Sequence, residues 1–257
     1  MAVSRAYIQR QAQVIAGLSQ SAKGVLTRRL KDVDDWDQAA AILSETCKAY
    51  TDMSAAITAQ YYAGIRSASK VKSKYQAQAV SGYDADAVYS AAISIMEEVQ
   101  AGKATVPAVE LLANVANREI KNASDSCIRE NVKRDPAKPK YAIVPNGDAC
   151  AFCQMRASLG YTYGDEDAAH SHDHCTCMAT PVFGDEDIEG YNPKEYEDRY
   201  EDAKEALEKG EISEDLKKRI ESAEEQHNKR YKADETAKPW DKSNAILMVM
   251  REQQGIS

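Results

Sequence analysis

The chain has 257 residues, a formal net charge of −8 and only 2 phenylalanines, and alanine dominates its apolar set. This length can bury a real core in one large domain or two modest ones, without disulfide staples. The alanine-rich composition favours close-packed helices over a β-sandwich. The N-terminus lacks a signal-peptide pattern, and no apolar run reaches the length of a membrane span. We therefore expect a protein assembled in a cytosol, where clustered cysteines hold metal more often than they form disulfides.

Charge is distributed unevenly along the chain. Residues 1–140 carry 19 Lys/Arg and 15 Asp/Glu, a balance of +4, whereas residues 185–225 carry 17 Asp/Glu and 7 Lys/Arg, a balance of −10. The acidic stretch is typical of a solvated helical face. Its alternative role is a surface that repels nucleic acid or docks a basic partner.

Four helices are predicted in the first 135 residues, because apolar residues recur there at three- and four-residue spacing. These stretches are Ile8 to Val25, Leu43 to Tyr61, Ala85 to Val99 and Val109 to Cys127. Cys47 and Cys127 lie on two of the apolar stripes. We expect both to be buried as small hydrophobic residues and to take no part in a site.

After a linker with two prolines, RDPAKPK, the predicted secondary structure changes from long helices to short strands. YAIVP and CMATPVFG read as two short strands that flank a cysteine- and histidine-rich segment. An acidic, turn-rich hinge follows. Helices are predicted near 194–209 and 213–232, and KPWDKSNAILMVMREQQ supplies a last one.

Residues 150–177 contain four of the six cysteines. Cys150-x-x-Cys153 brings two sulfurs to one side of a predicted tight turn, and His172-x-x-Cys175-x-Cys177 follows about 20 residues later. Two short chelating pairs joined by a loop are the usual plan of a structural zinc site. The candidate ligands are Cys150, Cys153, His170, His172, His174, Cys175 and Cys177.

Only four ligands close a tetrahedral zinc site. Cys150 and Cys153 are the most secure, and the other two must come from HSHDHCTC. Adjacent His174 and Cys175 point in divergent directions, so we favour His172 with Cys175 and keep Cys177 as the alternative fourth ligand. The interpretation without metal is a set of four thiols, or of disulfides formed in an oxidising medium.

We expect this zinc ion to be structural rather than catalytic. A catalytic zinc keeps an open position and needs a general base, but the chain has neither the His-x-Glu of zinc deaminases nor an H-E-x-x-H helix. A Gly-rich phosphate loop and a G-x-S-x-G elbow are also missing from the sequence. We therefore predict no catalytic residues and no enzymatic activity. The ion would hold together a segment whose two short strands lack enough core of their own.

These patterns predict a mainly α fold with a small zinc-stapled α+β module. The predicted regions are 1–135, a helical docking and assembly region; 136–184, the zinc-binding module; and 185–257, an acidic helical region. Lys70, Lys72 and Lys74 in SASKVKSKYQ form a small basic patch. It is typical of a solvated loop and less often a nucleic-acid contact.

VPNGDACAFCQMRASLGYTY and HSHDHCTCMATPVF together resemble the core motif of tailed-phage minor capsid proteins, the phage Mu F-like head morphogenesis family. Cys150, Cys153, His172, Cys175 and Cys177 occupy the positions of that motif. Many members have Pro-Asn between the histidine and the next cysteine and Arg between the last two cysteines, where this chain has Asp-His and Thr. The resemblance is specific over 141–183, and the long helical part before it is similar to the family's.

The resemblance implies a minor component of a phage head, present in several copies per virion and assembled in the host cytoplasm. It implies contact with the portal protein, the major capsid protein or both, with packaged DNA as a further candidate partner and no membrane. Two alternatives belong to other classes: an effector enzyme carried in the head, which would need a catalytic set, and a zinc-ribbon nucleic-acid binder, which the neighbouring acidic stretch disfavours.

Overall fold

The computed structural model describes residues 2–33, 35–147, 149–162, 176–233 and 240–255. This part of the chain is mainly helical, as predicted, with one two-stranded sheet. None of its helices is long and apolar enough to cross a membrane. In chain order the elements are α1 (Arg5–Arg29), α2 (Trp36–Ala68), α3 (Ala85–Gln100), α4 (Ala108–Arg134), β1 (Lys140–Val144), α5 (Ala151–Ser158), β2 (Met178–Val182), α6 (Pro193–Lys209), α7 (Glu214–Ala233) and α8 (Lys242–Gln254).

The predicted elements are confirmed with one addition. The four N-terminal helices, the two strands and the three C-terminal helices all lie where the periodicity placed them. Helix α5 was not predicted, because Cys150-x-x-Cys153 was interpreted as a tight turn. The same spacing is one helical turn, and Cys150 is the N-cap of α5. The prediction of a tight turn at Cys150–Cys153 was therefore wrong.

The chain divides into two compact units that do not follow chain order. The first contains residues 1–147 and 161–191, and the second contains 148–160 and 192–257. The predicted module 136–184 contributes residues to both units. The division into docking, zinc-binding and acidic regions concerns function rather than compactness, and it stays a prediction.

Helices α1 to α4 and the sheet form the first unit. Leu43, Cys47, Ala92 and Ala116 belong to one cluster of buried side chains from α2, α3 and α4. Small residues at these contacts let the helices approach closely. Where α1, α2 and α4 meet, polar side chains are also buried, and they satisfy one another through hydrogen bonds of Gln11 to Thr58 and of Thr58 to Ser124.

The sheet of the first unit pairs β1 and β2 antiparallel, with Tyr141 opposite Pro181 and Val144 opposite Met178. Nearly every residue of both strands is buried, which explains why the two segments read as continuous apolar runs. Thr162 pairs with Tyr141 through two backbone hydrogen bonds of 2.8 Å. The chain on both sides of 163–175 is therefore tied to β1.

Helices α5 to α8 form the second unit. Its core contains Ala151 of α5, Ala203 of α6, Leu216 of α7 and several residues of α8, among them Met250. The acidic side chains of α6 are exposed, in agreement with the predicted solvated face. The face of α6 and of α7 that is turned inward is apolar, since Ala203 and Leu216 are buried.

Candidate metal-binding segment

Cys150 and Cys153 lie at the start of α5, in the second unit. Residues three apart on a helix are neighbours on one face, at roughly 5–6 Å between their Cβ atoms. Cys150 is the N-cap, and its carbonyl accepts the first bond of the helix from the Gln154 amide at 3.0 Å. The pair thus fits the two-sulfur half of a zinc site.

Gln154 anchors α5 within the second unit. Its side-chain amide donates to the Ala149 carbonyl at 2.8 Å and to Gln254 Oε1 at 2.6 Å, and its own Oε1 accepts from Arg199 Nη1 at 3.0 Å. These bonds connect the start of α5 to α6 and α8. Because Cys153 is also buried, the backbone that carries the cysteine pair is held on a packed scaffold.

Cys177 lies in the first unit, immediately before β2. Thr176 on one side donates its hydroxyl to the Asn146 carbonyl at 3.1 Å, and Met178 on the other side pairs with Val144. Cys177 is 2% exposed. Its position is therefore fixed by backbone pairing, which distinguishes it from Cys150 at a helix start.

The remaining predicted ligands, His170, His172, His174 and Cys175, lie outside the described residues. Within the parts of the chain that the structure describes, no three His, Cys, Asp or Glu side chains form a group that could hold a metal. The donor chemistry of Cys150 and Cys153 fits zinc, while the full ligand set stays a prediction.

Cys47 and Cys127 differ from the motif cysteines, as expected. Both are 0% exposed, and both lie on helices of the first unit. Burial raises the pKa of the Cys47 thiol to about 12 and that of the Cys127 thiol to about 11. Cys127 donates to the Ala55 carbonyl at 3.3 Å. Since a metal binds the thiolate, these environments disfavour metal binding, and their exclusion from the site is supported.

A buried ion pair that sequence reasoning missed joins α2 to the end of α4. Arg66 Nε donates to Asp135 Oδ2 at 2.7 Å, and the Asp135 side chain is 0% exposed. Tyr62 donates its hydroxyl to the same carboxylate at 3.1 Å. Burial and the neighbouring Asp135 charge raise the pKa of Tyr62 well above its usual range. The only sequence signal was the Asp-Pro dipeptide that ends α4, and it indicated a boundary rather than a partner.

The described part of the chain is mainly helical, and its cysteine pair lies at the start of α5. The family model described as VG15 protein matches residues 2–203. The chain belongs to this family, and it is a phage protein. Comparison with curated proteins and with solved structures finds no match.

Proposed function

We propose that this chain is a minor capsid protein of a tailed phage, a head morphogenesis component that contacts the portal or the capsid interior. The observation that carries the proposal is the motif of Cys150, Cys153, His172, Cys175 and Cys177 inside a chain that belongs to a phage family over 2–203. Its role is assembly rather than catalysis. A zinc ion held by the motif would be structural.

The outer side of α1 is the proposed docking element. Tyr7 and Val14 are two of the exposed large apolar side chains, 40% and 39% exposed, and their seven-residue spacing places them on one side of the helix. The buried side of α1, which contains Ile8, Ile15 and Leu26, lies about a quarter turn from this apolar strip. Tyr7 also packs against Tyr61 of α2, with ring centroids 5.1 Å apart. Because the buried side is already used in the first unit, the partly exposed apolar strip is the side that we propose packs on the portal or shell.

Mass spectrometry of purified virions of the phage that encodes this chain tests the proposal. We expect the protein in virions at a small number of copies relative to the major capsid protein. Its complete absence from virions, with the protein present in the infected cell, would overturn a structural role in the head.

A pair of matched variants tests the docking side. Val14→Glu places a charge on the apolar strip, whereas Gln13→Glu adds the same charge at a neighbouring exposed position of α1. In a phage that lacks the wild-type copy, Val14→Glu should reduce incorporation into heads on the order of tenfold, because a buried unpaired charge is costly. Gln13→Glu should incorporate normally. Equal incorporation of the two variants would refute the docking side but not the presence of the protein in the head.

A further inference from the structure

The chain between α2 and α3 is extended but firmly held. Residues 71–83 contain neither helix nor strand. Connections of this length without secondary structure are uncommon in compact domains and often have a function. Here the extended segment is bonded to α2 and α4, so its backbone is a fixed feature of the first unit.

Two polar side chains hold this segment. Arg66 Nη2 donates to the Ser73 carbonyl at 2.5 Å and to the Ser73 hydroxyl at 2.9 Å, in addition to its ion pair with Asp135. The side chain of Asn131 in α4 bonds the backbone of Gln78 twice: its Oδ1 accepts from the Gln78 N–H and its Nδ2 donates to the Gln78 carbonyl, both at 2.8 Å. Asn131 Oδ1 also accepts a hydrogen bond from the Tyr75 hydroxyl at 2.8 Å. The part of the segment from Ser73 to Gln78, which carries Lys74 and follows Lys72, is therefore held at three points.

Exposure alternates along the pinned segment as it does along a strand. The side chains that face inward and are partly buried are Val71, Ser73, Tyr75 and Ala77, and those that face solvent are Lys72, Lys74, Gln76 and Gln78. Alternate residues of an extended chain lie roughly 6.6 Å apart. Two lysines thus stand side by side on a rigid backbone, and Lys70 precedes them at the end of α2.

Two carboxylates near this lysine row are paired with other cations. Among described carboxylates, none forms an ion pair with Lys72 or Lys74. Asp135 is neutralised by Arg66, and Glu130 is shared between Lys133 and Arg134. Lys138, whose amide closes a turn onto the Asp135 carbonyl at 2.9 Å, adds a further exposed cation. Glu186 accepts a hydrogen bond from Ser69 and so places one negative charge beside the Lys70 end of the row.

We propose that the lysine row, Lys70, Lys72 and Lys74, binds the phosphate backbone of duplex DNA without sequence preference. Lysine ammonium groups act as point charges toward phosphates rather than as readers of base edges. Tyr75, the aromatic residue next to Lys74, faces inward with its hydroxyl bonded to Asn131, and the hydroxyl of Tyr83, at the end of the segment, is bonded to Ser44, so neither ring is offered as a platform for stacking unpaired bases. A duplex backbone fits this chemistry better than a single strand. The inference rests on the geometry of the first unit and holds whether or not the chain contacts the portal.

Fluorescence anisotropy of a labelled duplex of about 30 base pairs, titrated with the full chain at about 50 mM salt and upward, tests the proposal. The wild type should bind, with log affinity falling linearly against log salt. Lys72→Gln/Lys74→Gln should make the salt slope shallower by about 2, since each lost phosphate contact removes about 0.9. Its affinity at the lowest salt should fall on the order of tenfold or more.

The matched control is Lys31→Gln/Lys103→Gln, which removes the same charge from two exposed lysines elsewhere in the first unit. It should leave both slope and affinity unchanged. No duplex binding by the wild type, or equal losses in the two double variants, would overturn the inference. Poly-L-glutamate and unlabelled duplex are also compared as competitors at equal charge. If poly-L-glutamate competes more strongly, the inference is overturned, because the lysine row would then bind an acidic protein. Circular dichroism checks that both variants are folded.

Discussion

The helical core of the first unit and the motif segment 141–183 both contain cysteines, but they use them differently. In the core, Cys47 and Cys127 fill space between long helices and are fully buried. In the motif segment, Cys150 is the N-cap residue of an eight-residue helix, and Cys177 immediately precedes a five-residue strand. The same residue type is a hydrophobic filler where long elements pack, and a candidate ligand where elements are short.

The two regions also differ in the interactions that stabilise them. Helices α2 and α4 bury continuous stripes and add the Arg66–Asp135 pair between them. The described part of the motif segment has a two-stranded sheet and one short helix, elements that are marginal by themselves and depend on burial against the helices of their units. The following predictions, from the largest expected effect to the smallest, test this contrast.

The strongest test of the contrast is the metal itself. We expect about one zinc ion per chain in the purified protein, and Cys150→Ser or Cys153→Ser should remove most of it. Structural zinc can supply on the order of 10 kcal/mol of folding free energy to small modules, so both variants should also unfold the segment locally. Elemental analysis measures the zinc content, and hydrogen exchange of residues 141–183 measures the unfolding.

The core cysteines are the controls for this experiment. Cys47→Ser and Cys127→Ser should keep the metal, at some cost to packing. Cys175→Ser should lose more zinc than Cys177→Ser, because His172-x-x-Cys175 makes the tighter chelate. Wild-type protein without zinc would contradict the whole site. Equal losses in Cys175→Ser and Cys177→Ser would contradict only the choice of fourth ligand.

Removing one partner of the Arg66–Asp135 ion pair should destabilise the helical core. Asp135→Asn leaves the Arg66 charge poorly compensated in a site where the arginine side chain is 11% exposed. Breaking one partner of a buried pair costs about 3–5 kcal/mol. Urea unfolding monitored by circular dichroism measures the loss.

Asp52→Asn is the matched control for that substitution. Asp52 pairs with Lys48 on the surface of α2, where both side chains are about half exposed. Such surface pairs contribute about 0.5 kcal/mol or less. If the two aspartate variants lose similar stability, the Arg66–Asp135 pair does not have the role assigned to it.

The core cysteines should also make stability depend on alkaline pH. Burial raises the pKa of Cys47 from 9.0 to about 12, so the folded state keeps a proton that the unfolded state releases. The stabilising contribution is fully present below pH 9 and is lost as pH rises toward 12, at up to about 1.4 kcal/mol per pH unit. The free energy of unfolding in urea at pH 8 and pH 10.5 measures this slope.

Cys47→Ala provides the comparison within this measurement. The variant loses some packing at every pH, but its stability should fall less steeply between the two pH values than that of the wild type. Tyr61 and Tyr62, whose pKa values burial also raises, keep contributing to the slope in both proteins. An identical slope in the wild type and Cys47→Ala would show that the thiol is not protected from ionisation.

Much of the helical architecture was predictable because its signal is local. The stripe from Leu43 to Tyr61 repeats every three or four residues, and Asp35 and Asp84 stand where helix starts favour acids that accept backbone N–H bonds. The short α5 was not predictable in this way. Eight residues contain little more than two turns, and its place depends on Ala151 packing with α6 and α8.

The sequence by itself determined which residues are helical, which cysteines belong to the core and which side chains are candidate metal ligands. These features can be recognised from the spacing and type of a few neighbouring residues. Only the tertiary structure decided that Arg66 meets Asp135, 69 residues away, and that Asn131 holds Gln78. Those two contacts hold the backbone of SKVKSKYQAQ in an extended conformation, in which its lysines form a row. Contacts between residues so distant in the chain depend on how several helices pack at once, and no local pattern encodes that packing.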